Sequence, residues 1–330
     1  MHGDFAILNA SHTFRCAASP SLDAFTFELW GALLHGARCV LVELNSLTLA
    51  ELGHTLRRQH IDTAWLTSAY FNQVVNESPR LLAPLRQLLV GGEALSPAHI
   101  RQALMALPGT RVINGYGPTE STTFTCTYTI NDSLRDDAAS IPIGYPLAHT
   151  QIYVLDADGQ LAPQGVMGEL YIGGDGLARG YLTRPGFTAE RFVPHPYANN
   201  PGERLYRTGD LVRYLTRADG SPGALEYLGR IDAQVKLRGF RIELGEIESV
   251  LRQQPQVRDA VVMAREDVTE QTALVAYVVR EPGFAGEDNA GFIHQLRTQV
   301  QQEVHGSMVP GVFMLLEPLP LTLNCKLDYR

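Results

Sequence analysis

An α/β chain, with a doubly wound and mostly parallel sheet, then a β-rich subdomain and a compact α+β lobe, is the fold class that the sequence predicts. Three observations predict it. Short apolar runs alternate with stretches of helical periodicity from Phe25 to Ile113, the rhythm of repeated β-α-β units. From about Ile141 the texture turns to short strands separated by glycine-containing turns, as in antiparallel barrels. Beyond Asp232 mixed helix and strand return for roughly a hundred residues, a normal domain size. The expected subdomains are therefore 1–140, 141–231 and 232–330.

Phe5 to Leu8 and Thr13 to Ala18 have strand composition without a preceding turn or cap, so the chain is expected to begin inside a fold. Phe27, Leu29, Trp30, Leu33 and Leu34 recur at helical spacing before Gly36, which predicts a helix over 25–34. A strand over 39–44, a helix over 49–59 and a strand over 63–66 complete one β-α-β unit. Helix 70–76, strand 87–90, the turn G-G-E-A-L-S-P, helix 97–107 and strand 111–113 continue the pattern, with Ser96 as N-cap and Pro97 in the first helical position. The β-rich part carries strands over 151–155, 168–172 and 224–228, and a hairpin-like D-A-D-G from Asp156 to Gly159. The last part predicts helices over 245–252 and 291–304 with strands over 257–265, 273–279 and 312–316.

A net charge of −8 over 330 residues leaves no basic footprint, so neither nucleic acid nor an anionic membrane is the expected partner. No leader of charged and then apolar residues opens the chain, and no apolar run approaches the ~18 residues of a membrane span, which makes the cytoplasm the expected location. The cysteines Cys16, Cys39, Cys126 and Cys325 form no C-x-x-C pair and have no histidine at metal-ligand spacing. They are expected as small buried hydrophobes in a reducing compartment.

Ligands of a doubly wound sheet lie beyond the C-terminal ends of its strands. The stretch N-G-Y-G-P-T-E-S-T-T, Asn114 to Thr123, stands at such an end. Tyr116 can offer a flat face to a base, Thr119 a hydroxyl to a phosphate, and Glu120 a hard oxygen to magnesium. An ordinary strand-to-helix loop is the alternative for these ten residues alone. In Y-R-T-G-D-L, Asp210 follows a glycine turn; a carboxylate there suits ribose hydroxyls, or else it bonds its own backbone in a β-turn. Gly229 to Glu243 is charged for a stretch with strand-like apolars, which by itself describes a solvated hinge or strand edge. Gly174, Gly176 and Gly180 are spaced one residue too wide for G-x-G-x-x-G and lack a β-α-β setting, which excludes a dinucleotide fingerprint. Lys326, near the chain end, reads by itself as a solubilising charge.

Taken in order, L-D-A-F-T-F-E-L-W at Leu22, V-G-G-E-A-L-S-P at Val90, N-G-Y-G-P-T-E at Asn114, G-E-L-Y-I-G-G at Gly168, Y-R-T-G-D-L at Tyr206, G-R-I-D-A-Q-V-K-L-R-G at Gly229 and the segment around Lys326 resemble the adenylation domains of nonribosomal peptide synthetases. These belong to the adenylate-forming superfamily, which also holds acyl-CoA ligases. The resemblance spans essentially the whole chain. It implies an adenylate-forming fold without its first subdomain, and a reaction of ATP with an amino acid, assisted by Mg2+, to give aminoacyl-AMP and pyrophosphate.

The resemblance further implies that Tyr116 stacks on adenine and Thr119 touches the α-phosphate, with Gly92, Asn114 and Gly117 also on the nucleotide. Glu120 would hold magnesium, Asp210 the ribose with Arg230 nearby, and Lys326 the charge that gathers in the transition state. The lobe beyond Asp232 would rotate about a hinge between Asp232 and Lys236. By register, Asp23, Ala24, Phe27, Trp65, Leu89, Gly91, Gly115, Thr123 and Phe124 would face the amino acid. Asp23, the one charge, would pair with its α-ammonium. Two glycines leave space and the aromatic rings narrow it, so a branched aliphatic substrate, valine before isoleucine or leucine, is expected. The implied partner is a peptidyl carrier protein, whose phosphopantetheine sits on a separate domain.

No Ser/Thr/Gly-rich, lysine-ending phosphate loop occurs in the 330 residues. A neighbouring polypeptide is one expected source of that loop. A truncated, inactive remnant that at most binds adenylate, and an acyl- or aryl-CoA ligase, are the alternatives. Cys325 stands where the family has glycine, and Tyr329 separates Asp328 from Arg330.

Overall fold

The computed structural model describes residues 5–42, 48–130, 138–198, 200–217, 219–231, 235–237, 239–266, 272–284 and 288–317. The chain divides into two compact units, Met1–Ile231 and Asp232–Arg330. Among the described residues no helix is long and apolar enough to cross a membrane.

The first unit opens with a seven-stranded sheet of β1 (Thr13–Cys16), β2 (Arg38–Leu41), β3 (Thr63–Thr67), β4 (Gln87–Gly91), β5 (Arg111–Tyr116), β6 (Cys126–Ile130) and β7 (Tyr145–Pro146), in the spatial order β2-β1-β3-β4-β5-β6-β7. Pairing is parallel from β2 across to β5 and antiparallel for β6 and β7. Between these strands come α1 (Ala24–Leu33), α2 (Leu49–Arg58), α3 (Ser68–Glu77) and α4 (Pro97–Ala106). Strand side chains alternate between faces, and both faces here are covered. Ala64, Leu66, Leu88, Val90 and Val112 pack with Leu52 and Leu56 of α2, Phe71 and Val74 of α3, and Ile100 of α4. Their neighbours in sequence, Leu89 and Ile113, join Phe14, Phe27 of α1, Phe5 and Phe124 in a second cluster, with Trp65 packed against it. Burial on both faces is why β3 and β4 read as continuous apolar runs.

Ser96 is the N-cap of α4 with Pro97 in its first turn, as expected, although its hydroxyl meets Nδ1 of His99 at 2.8 Å in place of a capping bond. One local expectation is corrected. Residues 5–8 form no strand; Phe5 and Ala6 are instead buried as plugs of the second cluster.

The unit continues with β8 (Thr150–Leu155), β9 (Gly168–Gly174), the short helix α5 (Pro185–Arg191), β10 (Phe192–Pro194), β11 (Arg204–Thr216) and β12 (Pro222–Arg230). They form an antiparallel sheet in the order β10-β11-β9-β8, with β12 on β11. The 13-residue β11 is longer than any strand that the sequence predicts, and it includes the Thr208-Gly209-Asp210 stretch expected as a turn. Gly209 has φ +76°, and the register against β9 shifts between Arg207 and Leu211. A glycine in the left-handed region lets a bulge, rather than a turn, absorb these residues within the strand.

The second unit has a hairpin of β13 (Val235–Leu237) and β14 (Phe240–Ile242), then α6 (Leu244–Arg252), β15 (Val257–Glu266), β16 (Thr272–Arg280), α7 (Asn289–Glu303) and β17 (Val312–Leu316). β15 pairs antiparallel and β17 parallel with β16. Ile247 and Leu251 of α6 and Phe292, Leu296 and Val300 of α7 share one core with Val262, Ala276 and Val278 of the sheet.

Candidate functional site

The residues expected around an amino acid gather on one face of the first sheet, beside α1. Phe27 and Phe124 meet edge to face at 5.4 Å between ring centroids, and Phe5 touches both. Leu89 is buried in the same cluster, with Trp65 packed against it. Ala24 is buried at the first turn of α1. Gly91 of β4 and Gly115 of β5 are paired neighbours, and a Cβ on Gly91 would stand 2.1 Å from the Gly115 carbonyl oxygen. The pair therefore allows the strands to approach at their C-terminal ends. The expectation that both glycines leave ligand space is revised: a Cβ on Gly115 would lie 2.6 Å from the Phe124 ring, so that ring fills the room beside it.

Asp23 precedes α1, yet its carboxylate makes no helix-capping hydrogen bond. It accepts instead from the Thr119 hydroxyl at 2.9 Å, across 96 positions of sequence. Burial raises its pKa above the ordinary aspartate value; the Thr119 hydroxyl and nearby amides oppose the rise, and the Glu120 carboxylate adds to it. A half-buried carboxylate with no counter-charge is a ready partner for a cation. The turn leading to Asp23 is itself fixed, because Oε2 of the buried Glu28 accepts from the amides of Ala17 and Ala18 at 2.7 Å each. Desolvation pushes the Glu28 carboxyl up and lowers the neighbouring Arg15 guanidinium.

The segment after β5 is a strained turn. Thr119–Ser121 forms one 3-10 turn, and Thr122 and Thr123 follow at φ +54° and +67°. Two β-branched residues in the left-handed region are unfavourable unless the surroundings impose it. Side-chain bonds impose it here: the Thr122 hydroxyl donates to the Gly176 carbonyl and the Thr123 hydroxyl to the Asp23 carbonyl, both at 2.7 Å. The result leaves Thr119 exposed, Gly117 and Glu120 half-buried, and Gly92, directly after β4, half-buried as well.

The residues expected around adenine and ribose come together differently. Asn114 and Tyr116 belong to β5 rather than to a loop. The Asn114 amide donates to the Pro142 carbonyl at 2.8 Å. Tyr116 is only 6% exposed, its ring 6.4 Å from that of Tyr227, and its hydroxyl donates to Oδ2 of Asp210. Oδ1 of Asp210 pairs with the Arg230 guanidinium at 2.5 Å, both side chains being buried. Arg230 also donates to the Thr208 carbonyl, and the Asp210 amide donates to the Thr208 hydroxyl. Burial first, and the Asp210 carboxylate second, push the Tyr116 phenol well above the ordinary tyrosine range, so it acts as a neutral donor. Two expectations change here: Tyr116 presents no open ring face to a base, and Asp210 sits in a strand with both oxygens engaged, instead of bonding its own backbone in a turn.

The structure thus brings Asp23, Thr119, Glu120 and Thr123 together at one end of the sheet, and Tyr116, Asp210 and Arg230 into a buried cluster beneath. Glu120 is the carboxylate expected at magnesium. Among the described residues no group of three or more His, Cys, Asp or Glu can hold a metal by itself. Magnesium is commonly held by one or two carboxylates, its shell completed by phosphate and water oxygens. Lys326 and Asp232 lie outside the described residues, while Lys236 falls on β13. Sequence reasoning missed Tyr181, whose hydroxyl donates to Oε1 of Glu120 at 2.6 Å. The only trace of it in the sequence is an aromatic residue in a glycine-rich stretch with no assigned task.

Residues 2–182 match the AMP-binding enzyme family, and 246–326 match the AMP-binding enzyme C-terminal domain. The chain is 48% identical over 331 residues to tyrocidine synthase 3 of Brevibacillus parabrevis, covering 100% of this chain and 5% of that protein. Among solved structures it resembles holo-PA1221, a nonribosomal peptide synthetase protein containing adenylation and PCP domains bound to a vinylsulfonamide inhibitor. There the TM-score is 0.84 at 36% identity, over 98% of this chain and 53% of that one. The Vibrio cholerae adenylation domain AlmE, in complex with glycyl-adenosine-5'-phosphate, gives a TM-score of 0.79 at 26% identity, over 97% and 58%. The chain therefore spans a small fraction of its curated relative and little more than half of each of these two solved structures.

Proposed function

We propose, on the premise that the chain belongs to the AMP-binding enzyme family, that it carries the amino-acid side and part of the nucleotide side of an adenylation reaction in nonribosomal peptide synthesis. The observation that carries this reading is the 2.9 Å bond between Thr119 and Asp23. It sets a hydroxyl suited to a phosphate against the carboxylate suited to an α-ammonium. One amino-acid carboxylate oxygen attacks the α-phosphorus of ATP, the bond from that phosphorus to the bridging oxygen breaks, and pyrophosphate leaves. Asp23 holds the ammonium, so that the substrate carboxylate is directed toward Thr119. Glu120 is the ligand for Mg2+, whose chemistry when bound is to neutralise phosphate charge. Asp210 and Arg230 serve the ribose, and Lys326 supplies the ammonium that stabilises the developing charge.

The side chain of the substrate is a branched aliphatic, valine before isoleucine and leucine. Phe27, Trp65, Leu89 and Phe124 belong to one apolar group, and they give a charged side chain no partner. One methylene is worth only about 1–3 kcal/mol in such a site, so isoleucine is activated at a reduced rate. The product aminoacyl group passes to a carrier protein bearing phosphopantetheine, as the PCP domain of holo-PA1221 suggests. The β- and γ-phosphates are gripped by a Ser/Thr/Gly-rich loop outside these 330 residues, supplied by the same or a neighbouring polypeptide.

Amino-acid-dependent ATP–pyrophosphate exchange tests the reading. With a co-expressed upstream fragment bearing the phosphate loop, valine should stimulate exchange most, and the 330-residue chain alone should give negligible exchange. Exchange stimulated by no amino acid even with the fragment present contradicts the function and favours a remnant that at most binds adenylate. Robust exchange by the chain alone would make the loop dispensable.

A further inference from the structure

The glycine-rich stretch from Gly168 to Leu182, which is no dinucleotide fingerprint, meets the 119–122 turn at three points. The Gly176 carbonyl accepts from the Thr122 hydroxyl at 2.7 Å, the Ala178 amide donates to the Glu120 carbonyl at 2.8 Å, and the Tyr181 hydroxyl donates to Oε1 of Glu120 at 2.6 Å. Two of the three fall on Glu120 itself, one on its backbone and one on its side chain. The stretch is in turn fixed from behind. Arg204 of β11 donates to the carbonyls of Arg179 and Ala178 at 2.9 and 3.1 Å, and the Tyr181 amide donates to the Thr188 hydroxyl at 2.9 Å. The Tyr181 ring stacks on Phe187 at 4.6 Å and meets Phe192 edge-on at 5.7 Å.

A flexible glutamate makes a poor magnesium ligand unless something orients its carboxylate, and the groups that orient a metal ligand contribute strongly to metal affinity. From this geometry, and resting on the reading of Glu120 as the magnesium ligand, we infer that Tyr181 is a positioning residue: its phenol fixes the plane of the Glu120 carboxylate for the Mg2+ that accompanies ATP. The phenol is suited to that task. It reaches Oε1 of Glu120 directly from a ring held between Phe187 and Phe192. Its oxygen also lies 3.4 Å from the Tyr206 hydroxyl, which limits its rotation. The ring contacts with Phe187 and Phe192 do not need the hydroxyl, so Tyr181→Phe removes the hydrogen bond and keeps the packing.

The test compares the chain with Tyr181→Phe and Glu120→Gln, with the upstream fragment present. Mn2+ stands in for Mg2+; its free concentration is followed by electron paramagnetic resonance during titration in the presence of ATP. Nucleotide binding in EDTA and the thermal midpoint are measured in parallel. Tyr181→Phe should raise the half-saturating Mn2+ about tenfold or more, with metal-free nucleotide binding and thermal midpoint unchanged. Glu120→Gln should raise it further. Tyr181→Phe titrating like wild type while Glu120→Gln fails overturns the inference and leaves the magnesium reading intact. So does a Tyr181→Phe variant that loses metal-free nucleotide binding and thermal stability in the same proportion, because that is a structural role. Glu120→Gln titrating like wild type removes the magnesium reading, and this inference with it.

Discussion

Asp23 and Asp210 are both aspartates at the proposed substrate site, and their surroundings are opposite. Asp23 is half-buried at the start of α1, held by the Thr119 hydroxyl and nearby amides and without a cationic partner in contact among the described residues. Asp210 is 2% exposed in β11 and holds the Tyr116 phenol on one oxygen and Arg230 on the other. A carboxylate whose partners are complete holds structure together. One that is desolvated without a counter-charge is less stable than it would be in water, and a cationic ligand relieves that state. The pair separates an aspartate fixed by partners on both oxygens from one whose charge has no counter-ion in contact among the described residues.

The largest expected effect comes from breaking the complete set. Asp210→Ala leaves the Arg230 guanidinium buried without its carboxylate, and the loss of one partner of such a pair costs about 3–5 kcal/mol. Urea denaturation of the first unit's transition checks it; a change below ~1 kcal/mol would mean that Arg230 and Tyr116 find other partners. Next is Gly91→Ala. The new Cβ would meet the Gly115 backbone oxygen, which cannot rotate away, so β4 and β5 must part at a cost of about 1–3 kcal/mol. The same denaturation assay applies, and an unchanged midpoint would show that the strands are free to spread.

Asp23 should behave in the opposite sense to Asp210. Its pKa is raised in the folded chain, so between the unfolded and folded values the folded state binds more protons. Stability from this group therefore falls as pH rises through the carboxylate range above the unfolded aspartate value. Asp23→Asn keeps the acceptor for Thr119 and removes the charge. It should be more stable than wild type at neutral pH, and the advantage should vanish below the unfolded aspartate pKa. Thermal midpoints of both proteins against pH test this, and a variant less stable at pH 7 would contradict the assigned desolvation. The smallest effect is expected from Thr119→Val, which removes one exposed hydrogen bond to Asp23. Amino-acid affinity, measured by calorimetry, should change by about tenfold at most, corresponding to the ~0.5–1.5 kcal/mol of a single hydrogen bond.

The two aspartates were not equally legible in the sequence. The parallel strands, their helices and the α+β lobe follow from apolar periodicity, because a strand buried on both faces, such as Gln87–Gly91, admits almost no polar residue. β11 escaped because Thr208, Gly209 and Asp210 have turn chemistry, and only the pairing with β9 and β12 keeps them in a strand. Tyr116 escaped in the same way: its neighbouring glycines suggested a loop, while the pairing of β5 with β6 carries the strand through it. The Asp23–Thr119 contact joins positions 96 apart, and no local rule connects them. The left-handed Thr122 and Thr123 run against their own propensities and are held by side-chain bonds to distant backbone. The site is least legible where tertiary contacts override local preference.

The account turns on Asp23 as the anchor for an α-ammonium. The most direct measurement is a valine-binding isotherm by calorimetry at pH 7 on the wild-type chain and on Asp23→Ala, with ATP affinity determined on both. Loss of detectable valine binding in Asp23→Ala, with ATP affinity retained, is the predicted result. An unchanged valine Kd in that variant would contradict it.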